Sequence, residues 1–419
     1  MYVAEVKLTG FRSYREADVA FTPGLNIIVG ENATGKTNLL EGTYYAVRGF
    51  SPRTRREDKL VTWGAAYARA VARLHTDDGR ERVFEVAYAP RQGKRARVDG
   101  VEVASADDLR AHSQAFIFVP ESLLLVKGSP ARRRAHIDAF AAACEPAYQA
   151  AHDELHHVLR QRNAQLARIR AGGSIEALDP WDEQLARATV ELGRRRRDIV
   201  ARLAAPFAAT AAALAPDGGR FALSLATQLS ETGYDELAVL AALRARRARE
   251  IARGLSAFGP HRDDLFFVEV GGRRSDQSRG TAADAPGDRA AAFAETATDL
   301  TASPAAGATR ASGAVPTPAG DRDLRLFGSQ GEQRVAVLAL LLAEQAVAAD
   351  LGGERGILFL DDVMSELDDR RRRLLVRGLA NAGQALVTTT NRHYFTASEL
   401  AAASVIELPL RGAAQSGDE

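Results

Sequence analysis

Gly30-Glu31-Asn32-Ala33-Thr34-Gly35-Lys36-Thr37 fits the phosphate-binding pattern G-x-x-x-x-G-K-[ST]. The apolar run Leu25-Asn26-Ile27-Ile28-Val29 before it predicts a strand. The stretch from Asn38 to Ala46 after it predicts a helix. Strand, glycine loop and helix in that order aim backbone N–H groups and a helix N-terminus at a polyphosphate. The glycines are needed because a Cβ would block close approach of the backbone. Gly30, Glu31, Asn32, Ala33, Thr34 and Gly35 form the cradle. Lys36 is assigned to the β- and γ-phosphates of a nucleotide and the Thr37 hydroxyl to Mg²⁺.

Far downstream, Ile357-Leu358-Phe359-Leu360 is apolar throughout, the mark of a strand buried on both faces, and it ends in Asp361-Asp362. A carboxylate at the carboxyl end of such a strand, beside a phosphate loop, holds the nucleotide's Mg²⁺; this is the role read for Asp361. Asp362 is then placed to orient or deprotonate the attacking water. An acidic pair opening a loop explains the two residues when they stand alone. Together with the glycine loop they point to a nucleotide hydrolase.

The 419 residues suffice for two or three domains. Lys+Arg 55 against Asp+Glu 54 gives a net charge of +1, so no global field draws the chain to a polyanion and any such surface must come from local clusters. Candidates are Arg53/Arg55/Arg56, Lys94/Arg95/Arg97, Arg132–Arg134, Arg194–Arg197 and Arg370–Arg373, each also readable as a solvated helix face or turn. Cys144 is the only cysteine, which excludes internal disulfides and suits a reducing cytoplasm. The start of the chain reads as a charged strand rather than a signal peptide. The longest apolar stretch, Val335 to Ala343, is too short to span a bilayer, so no membrane association is expected.

Alternation at Tyr2, Ala4, Val6 and Leu8 predicts a half-buried first strand, with a return strand over 17–21. Residues 65–119 read as a mainly antiparallel sheet, with turns at Asp77-Asp78-Gly79 and Asp99-Gly100. Over 141–258 the apolar spacing becomes helical, and Leu185, Leu192 and Ile199 are seven apart; this predicts an inserted helical arm. Residues 259–271 read as a strand returning to the head. Residues 272–322 are low in complexity and lack apolar periodicity, which predicts a disordered loop, and 411–419 a flexible tail. The two halves of one ATPase head are thus expected in 1–140 and 323–410.

Phe327-Gly328-Ser329-Gln330-Gly331-Glu332-Gln333-Arg334 opens an apolar helix that runs directly into the acidic strand. This matches the signature of the ABC ATPase superfamily, in which the serine and the helix N-terminus touch the γ-phosphate of a nucleotide held by the other protomer. Ser329 with Glu332 also reads as a capping box, and both roles are compatible. Ser365-Glu366-Leu367-Asp368 looks like the D-loop of that superfamily.

The chain resembles the RecF family, short-armed relatives of the SMC family. Stretches carrying this include Leu8 to Tyr14, Gly30 to Glu41, Leu125 to Pro130 with Arg132-Arg133-Arg134, and Gln161-Arg162-Asn163. Further on are Trp181 to Leu185, Gly259-Pro260-His261-Arg262-Asp263-Asp264, Phe327 to Arg334 and Leu360 to Asp368. The resemblance implies an α/β fold: an ABC-type P-loop head, with a mixed sheet flanked by helices and an antiparallel β subdomain, carrying a short helical arm. It further implies ATP and Mg²⁺ as cofactors, an ATP-dependent homodimer, DNA binding and slow, DNA-stimulated ATP hydrolysis. Partnership with RecR and RecO in loading RecA, and roles in repair, replication and SOS induction, follow from the same likeness. By the same likeness Arg12 and Ser13 approach the nucleotide, Arg12 reading equally as a surface charge, and Ser329, Gln330 and Gly331 face the partner's phosphates. Lys36 and Asp362 are the catalytic pair. Thr390 or Asn391 stands where other ABC ATPases carry a switch histidine. His261 reads as structural. An ABC-type transport subunit would need a surface for membrane domains, and an SMC-like tether a far longer arm with a hinge.

Overall fold

The computed structural model describes residues 1–104, 108–109, 112–271, 321–352, 355–380 and 382–410. The segment expected to be disordered lies outside these residues as far as residue 320, as does the tail 411–419. Arg322, expected in that loop, instead belongs to a short strand.

Five strands form a parallel sheet in the order β14-β3-β13-β12-β8: β3 is Leu25–Val29, β8 Ala115–Phe118, β12 Ile357–Leu360, β13 Ala385–Thr389 and β14 Ser404–Glu407. Both faces are covered, which is why these strands are apolar runs rather than alternations. On one face Ile27, Leu358, Leu360 and Val387 join a core with the long helices; on the other Ile28, Ile357, Phe359 and Leu386 join a core with the antiparallel lobe. That lobe is a six-stranded sheet, β2-β1-β4-β5-β6-β7, of β1 (Tyr2–Phe11), β2 (Tyr14–Ala20), β4 (Ala68–His75), β5 (Glu81–Ala89), β6 (Gly93–Val98) and β7 (Val101–Val103). The head therefore mixes parallel and antiparallel strands between sheets. β8 falls within the stretch read as antiparallel but pairs in parallel with β12; Ala115, Phe116 and Phe118 are all buried, as in a strand covered on both faces. Gln384 joins the two sheets: its side-chain amide donates to the Val3 carbonyl and its oxygen accepts from the Val3 N–H, each at 2.8 Å.

From the head rise helices Pro146–Arg170 and Asp179–Leu214, linked through Gly172-Gly173. Leu185, Leu192 and Ile199 are buried along the second of them, as the heptad spacing requires. Its 36 residues span about 54 Å at 1.5 Å per residue. Two features depart from a uniformly helical insertion over 141–258. Helix Pro130–Cys144 crosses the expected boundary, and β9 (Arg220–Ala226) pairs with β10 (Asp264–Val270), which in turn pairs with β11 (Arg322–Asp323). Helix Gln330–Gly352 is the one among the described residues long and apolar enough to cross a membrane, but 67% of that apolar window is buried inside the fold.

Buried charges fasten the arm to the head. Arg196 meets Asp138 and Asp263 at 2.8 Å each, and Arg133 pairs with Asp264 at 2.6 Å. Within the arm Arg162 contacts Asp182 at 2.6 Å, Glu250 at 2.7 Å and Ser256 Oγ at 2.7 Å. His261 packs here too; burial drives its imidazole down to about 4, and its Nε2 lies 3.1 Å from the Ser256 carbonyl. The central arginines of two candidate polyanion clusters, Arg133 and Arg196, are thus consumed in the interior.

Candidate nucleotide site

The glycine loop joins β3 to helix Lys36–Arg48 at the carboxyl edge of the parallel sheet, where α/β folds place ligands. Gly35 caps the helix with φ +96°, and a Cβ there would lie 2.7 Å from the Tyr14 hydroxyl, so only glycine fits. The first turn of the helix carries no acidic side chain, which leaves its positive end uncompensated. Lys36 is buried, and its Nζ donates to the carbonyls of Gly30 at 2.8 Å and Glu31 at 2.6 Å. Burial lowers the ammonium's pKa, while Asp362 and Asp361 pull it back up.

The two ends of the chain meet at Thr37, whose hydroxyl lies 2.9 and 3.0 Å from the two carboxylate oxygens of Asp361. Thr388, at the end of neighbouring β13, donates to Asp361 Oδ1 at 2.8 Å and accepts from the Asp362 N–H at 2.9 Å. Burial raises the Asp361 pKa, and the hydrogen bonds from Thr388 and Thr37 oppose it. A buried carboxylate beside a threonine hydroxyl is the donor set of a hard cation. Asp362 adopts φ +46°, a conformation costly for a residue with a Cβ, and its Oδ1 is buried with no hydrogen-bond partner among the described residues. The glycine cradle, the uncompensated helix end and this orphaned oxygen fit a nucleotide with its cation and attacking water.

The turn between β1 and β2 abuts the loop by way of Ser13 and Tyr14. Ser13 Oγ accepts from Asn38 Nδ2 at 2.9 Å, and the Tyr14 hydroxyl donates to the Gly35 carbonyl at 3.2 Å. Arg12 sits nearby but is turned onto Glu41, with contacts of 3.0 and 2.7 Å, and onto the Lys59 carbonyl at 3.0 Å. Glu41 also takes Ser51 at 2.6 Å and Arg53 at 3.2 Å. Neither Glu41 nor Thr388 was assigned a role from the sequence. Thr388 had a readable signal, since it is the penultimate residue of a strand that runs to the same sheet edge as Asp361. Asn391 uses its side chain to cap the His393 N–H at 2.9 Å.

The signature segment stands apart from this cluster. Ser329 and Gln330 are exposed, and Ser329 forms the expected capping box: its Oγ accepts from the Glu332 N–H at 3.2 Å while Glu332 accepts from the Ser329 N–H at 2.7 Å. Burial works against the Glu332 charge, but that N–H and Arg322 hold its carboxyl below the usual range. Gly331 lies beside Arg371 and Ser329, whereas Gly35 lies beside Tyr14 and Ser13. Among the described residues, every hydrogen bond of Ser329 is to Glu332 or Gln333. Arg334 pairs with Glu366 of the D-loop, and Ser365 Oγ donates to the Asp362 carbonyl at 3.0 Å, so the signature helix and the acidic strand end are mechanically linked.

Residues 2–407 match the RecF/RecN/SMC N terminal domain family. The DNA replication and repair protein RecF of Heliobacterium modesticaldum is 35% identical over 414 residues, 97% of each chain. That of Halalkalibacterium halodurans is 30% identical over 398 residues, 93% of each. A solved structure of the recombination mediator protein RecF-ATP in the RecFOR pathway superposes with TM-score 0.72 at 24% identity, over 94% of this chain and 93% of that one, a likeness of fold. With that fold, and with close relatives matching along nearly its whole length, the chain belongs to the RecF family of DNA replication and repair proteins.

Proposed function

We propose that the chain is an ATP-gated homodimer that binds DNA in recombinational repair and hydrolyses ATP slowly. The head is built from 1–140 and 323–410 around the arm. The observation that carries this reading is the Thr37 hydroxyl lying on both oxygens of Asp361, which unites the phosphate loop with a carboxylate from the other end of the chain. Lys36 and the loop N–H groups hold the β- and γ-phosphates, and Thr37 and Asp361 hold Mg²⁺, which when bound neutralises charge on the phosphate oxygens. Asp362 orients the attacking water. Its short side chain and strained backbone suit a timer rather than a fast motor.

Each copy offers two half-sites that do not meet within it. Ser329, with Gln330 and Gly331, presents a helix N-terminus to the nucleotide on a second copy's loop, so two nucleotides are gripped across a two-fold interface. Dimerisation sets basic faces side by side and lets a near-neutral chain hold DNA. The likeness to RecF further supports action with RecR and RecO in RecA loading.

Lys36→Ala should abolish ATP-induced dimerisation and lower DNA affinity at least about tenfold at moderate salt, because loss of the dimer removes half of the phosphate contacts. A Lys36→Ala chain that dimerises normally with ATP, read by analytical ultracentrifugation, contradicts the reading.

A further inference from the structure

The run Arg370-Arg371-Arg372-Arg373 opens helix Asp369–Ala380, directly after the D-loop, and its members face different surroundings. Arg370 pairs with Asp217. Arg372 donates to the Met364 carbonyl at 2.7 Å, pairs with Asp369 at 2.7 Å and lies over the Tyr394 ring at 4.0 Å. Arg373 is exposed. Arg371 is the one directed at the signature: its Nη1 lies 2.9 Å from the point where a Cβ of Gly331 would stand, and Ser329 Oγ is 4.0 Å from that same point. The glycine in the signature is thus what makes room for this guanidinium.

The placement is electrostatically unfavourable in a single copy, because a cation sits at the positive end of a helix. Little offsets it locally. Arg371 approaches Asp368 only through Nε at 3.5 Å and forms no side-chain hydrogen bond among the described residues. Glu332, the acid of that first turn, is taken by the Ser329 N–H and by Arg322 at 2.7 Å. A guanidinium and a serine hydroxyl meeting at the N-terminus of a helix make a binding face for a multiply charged anion.

Building on the composite site above, we propose that Arg371 contacts the γ-phosphate of the nucleotide held by Lys36 and Thr37 of a second copy, and stabilises the charge that develops there during hydrolysis. A cation supplied from a partner in this way accelerates phosphoryl transfer by about 10³–10⁵ in other nucleotide hydrolases.

The test uses the full chain carrying Arg371→Ala, with Arg371→Gln as the substitute should the first not fold. The variant should bind ATP as a monomer within about twofold of the unaltered chain, yet turn over at least about a hundredfold more slowly, with partial recovery in Arg371→Lys. Mixed in equal amounts with Asp362→Asn, which keeps the phosphate loop and so still pairs with ATP but is itself inert, it should regain about a quarter of the unaltered activity, since half of the dimers are then mixed and each contains one intact site. Unchanged turnover, or loss of monomer ATP binding, overturns the proposal. So does a mixture that stays inert while Ser329→Ala mixed with Asp362→Asn recovers; that outcome makes Arg371 act within its own copy and leaves the composite site standing. If neither mixture recovers, the composite site itself fails and the proposal falls with it.

Discussion

At the scale of single residues, the site is a set of positions where ordinary stability rules are broken locally. Gly35 holds φ +96° against the Tyr14 hydroxyl. Gly35→Ala should therefore cost about 1–3 kcal/mol of stability by strain alone and weaken ATP binding at least about tenfold; chemical denaturation and nucleotide titration read the two losses. Asp361 gives a prediction of opposite sign. Its folded pKa is raised, chiefly by burial, so its ionised form disfavours the fold at any pH above the folded pKa. Asp361→Asn keeps an acceptor for Thr37 and Thr388 while removing that charge, and should raise Tm at pH 7 while abolishing Mg²⁺-dependent ATP hydrolysis. A lower Tm would contradict the assignment of burial as the dominant cause. The meeting of the loop with Asp361 was legible in the sequence because both lie in short, spaced motifs. The contacts of Thr388, Glu41 and Arg371 were not, because they depend on partners brought close only by strand order and helix packing.

At the scale of elements, buried ion pairs hold the helices of the arm to one another and the arm to the head. Arg162→Ala leaves Glu250 buried without its cation, while Asp182 keeps Arg247 at 2.6 Å, and should cost about 3–5 kcal/mol in urea unfolding; Arg162→Met combined with Glu250→Leu should recover part of it. His136 links helix Pro130–Cys144 to the signature helix through Glu344 at 2.8 Å. Burial opposes its charge, but Glu344 overcomes this and raises its pKa above the ordinary value. The stabilisation is therefore complete below about pH 6.5 and is lost as pH rises through the raised pKa, so His136→Gln should flatten stability against pH across that window. An unaltered slope in the variant would remove His136 as its source. Heptad spacing at Leu185, Leu192 and Ile199 made the arm readable. β9 escaped, because a seven-residue strand inside a helical stretch has too little periodicity of its own. β8 escaped as parallel because an apolar four-residue run does not state its direction.

At the scale of the whole molecule, the net charge of +1 and the interior use of Arg133 and Arg196 leave one copy with little field for a polyanion. On the proposed reading DNA binding depends on assembly, and the logarithm of affinity should fall linearly with the logarithm of salt, with ATP present, by a slope set by the phosphates neutralised. The measurement that bears most directly on the central claim is the molar mass of the chain by light scattering, with a non-hydrolysable ATP analogue and duplex DNA. The unaltered chain should show twice its monomer mass, and Ser329→Arg should bind the analogue as a monomer and stay monomeric. A solitary unaltered chain, or a Ser329→Arg chain that pairs as readily, would mean that the nucleotide is not gripped from both sides by two copies.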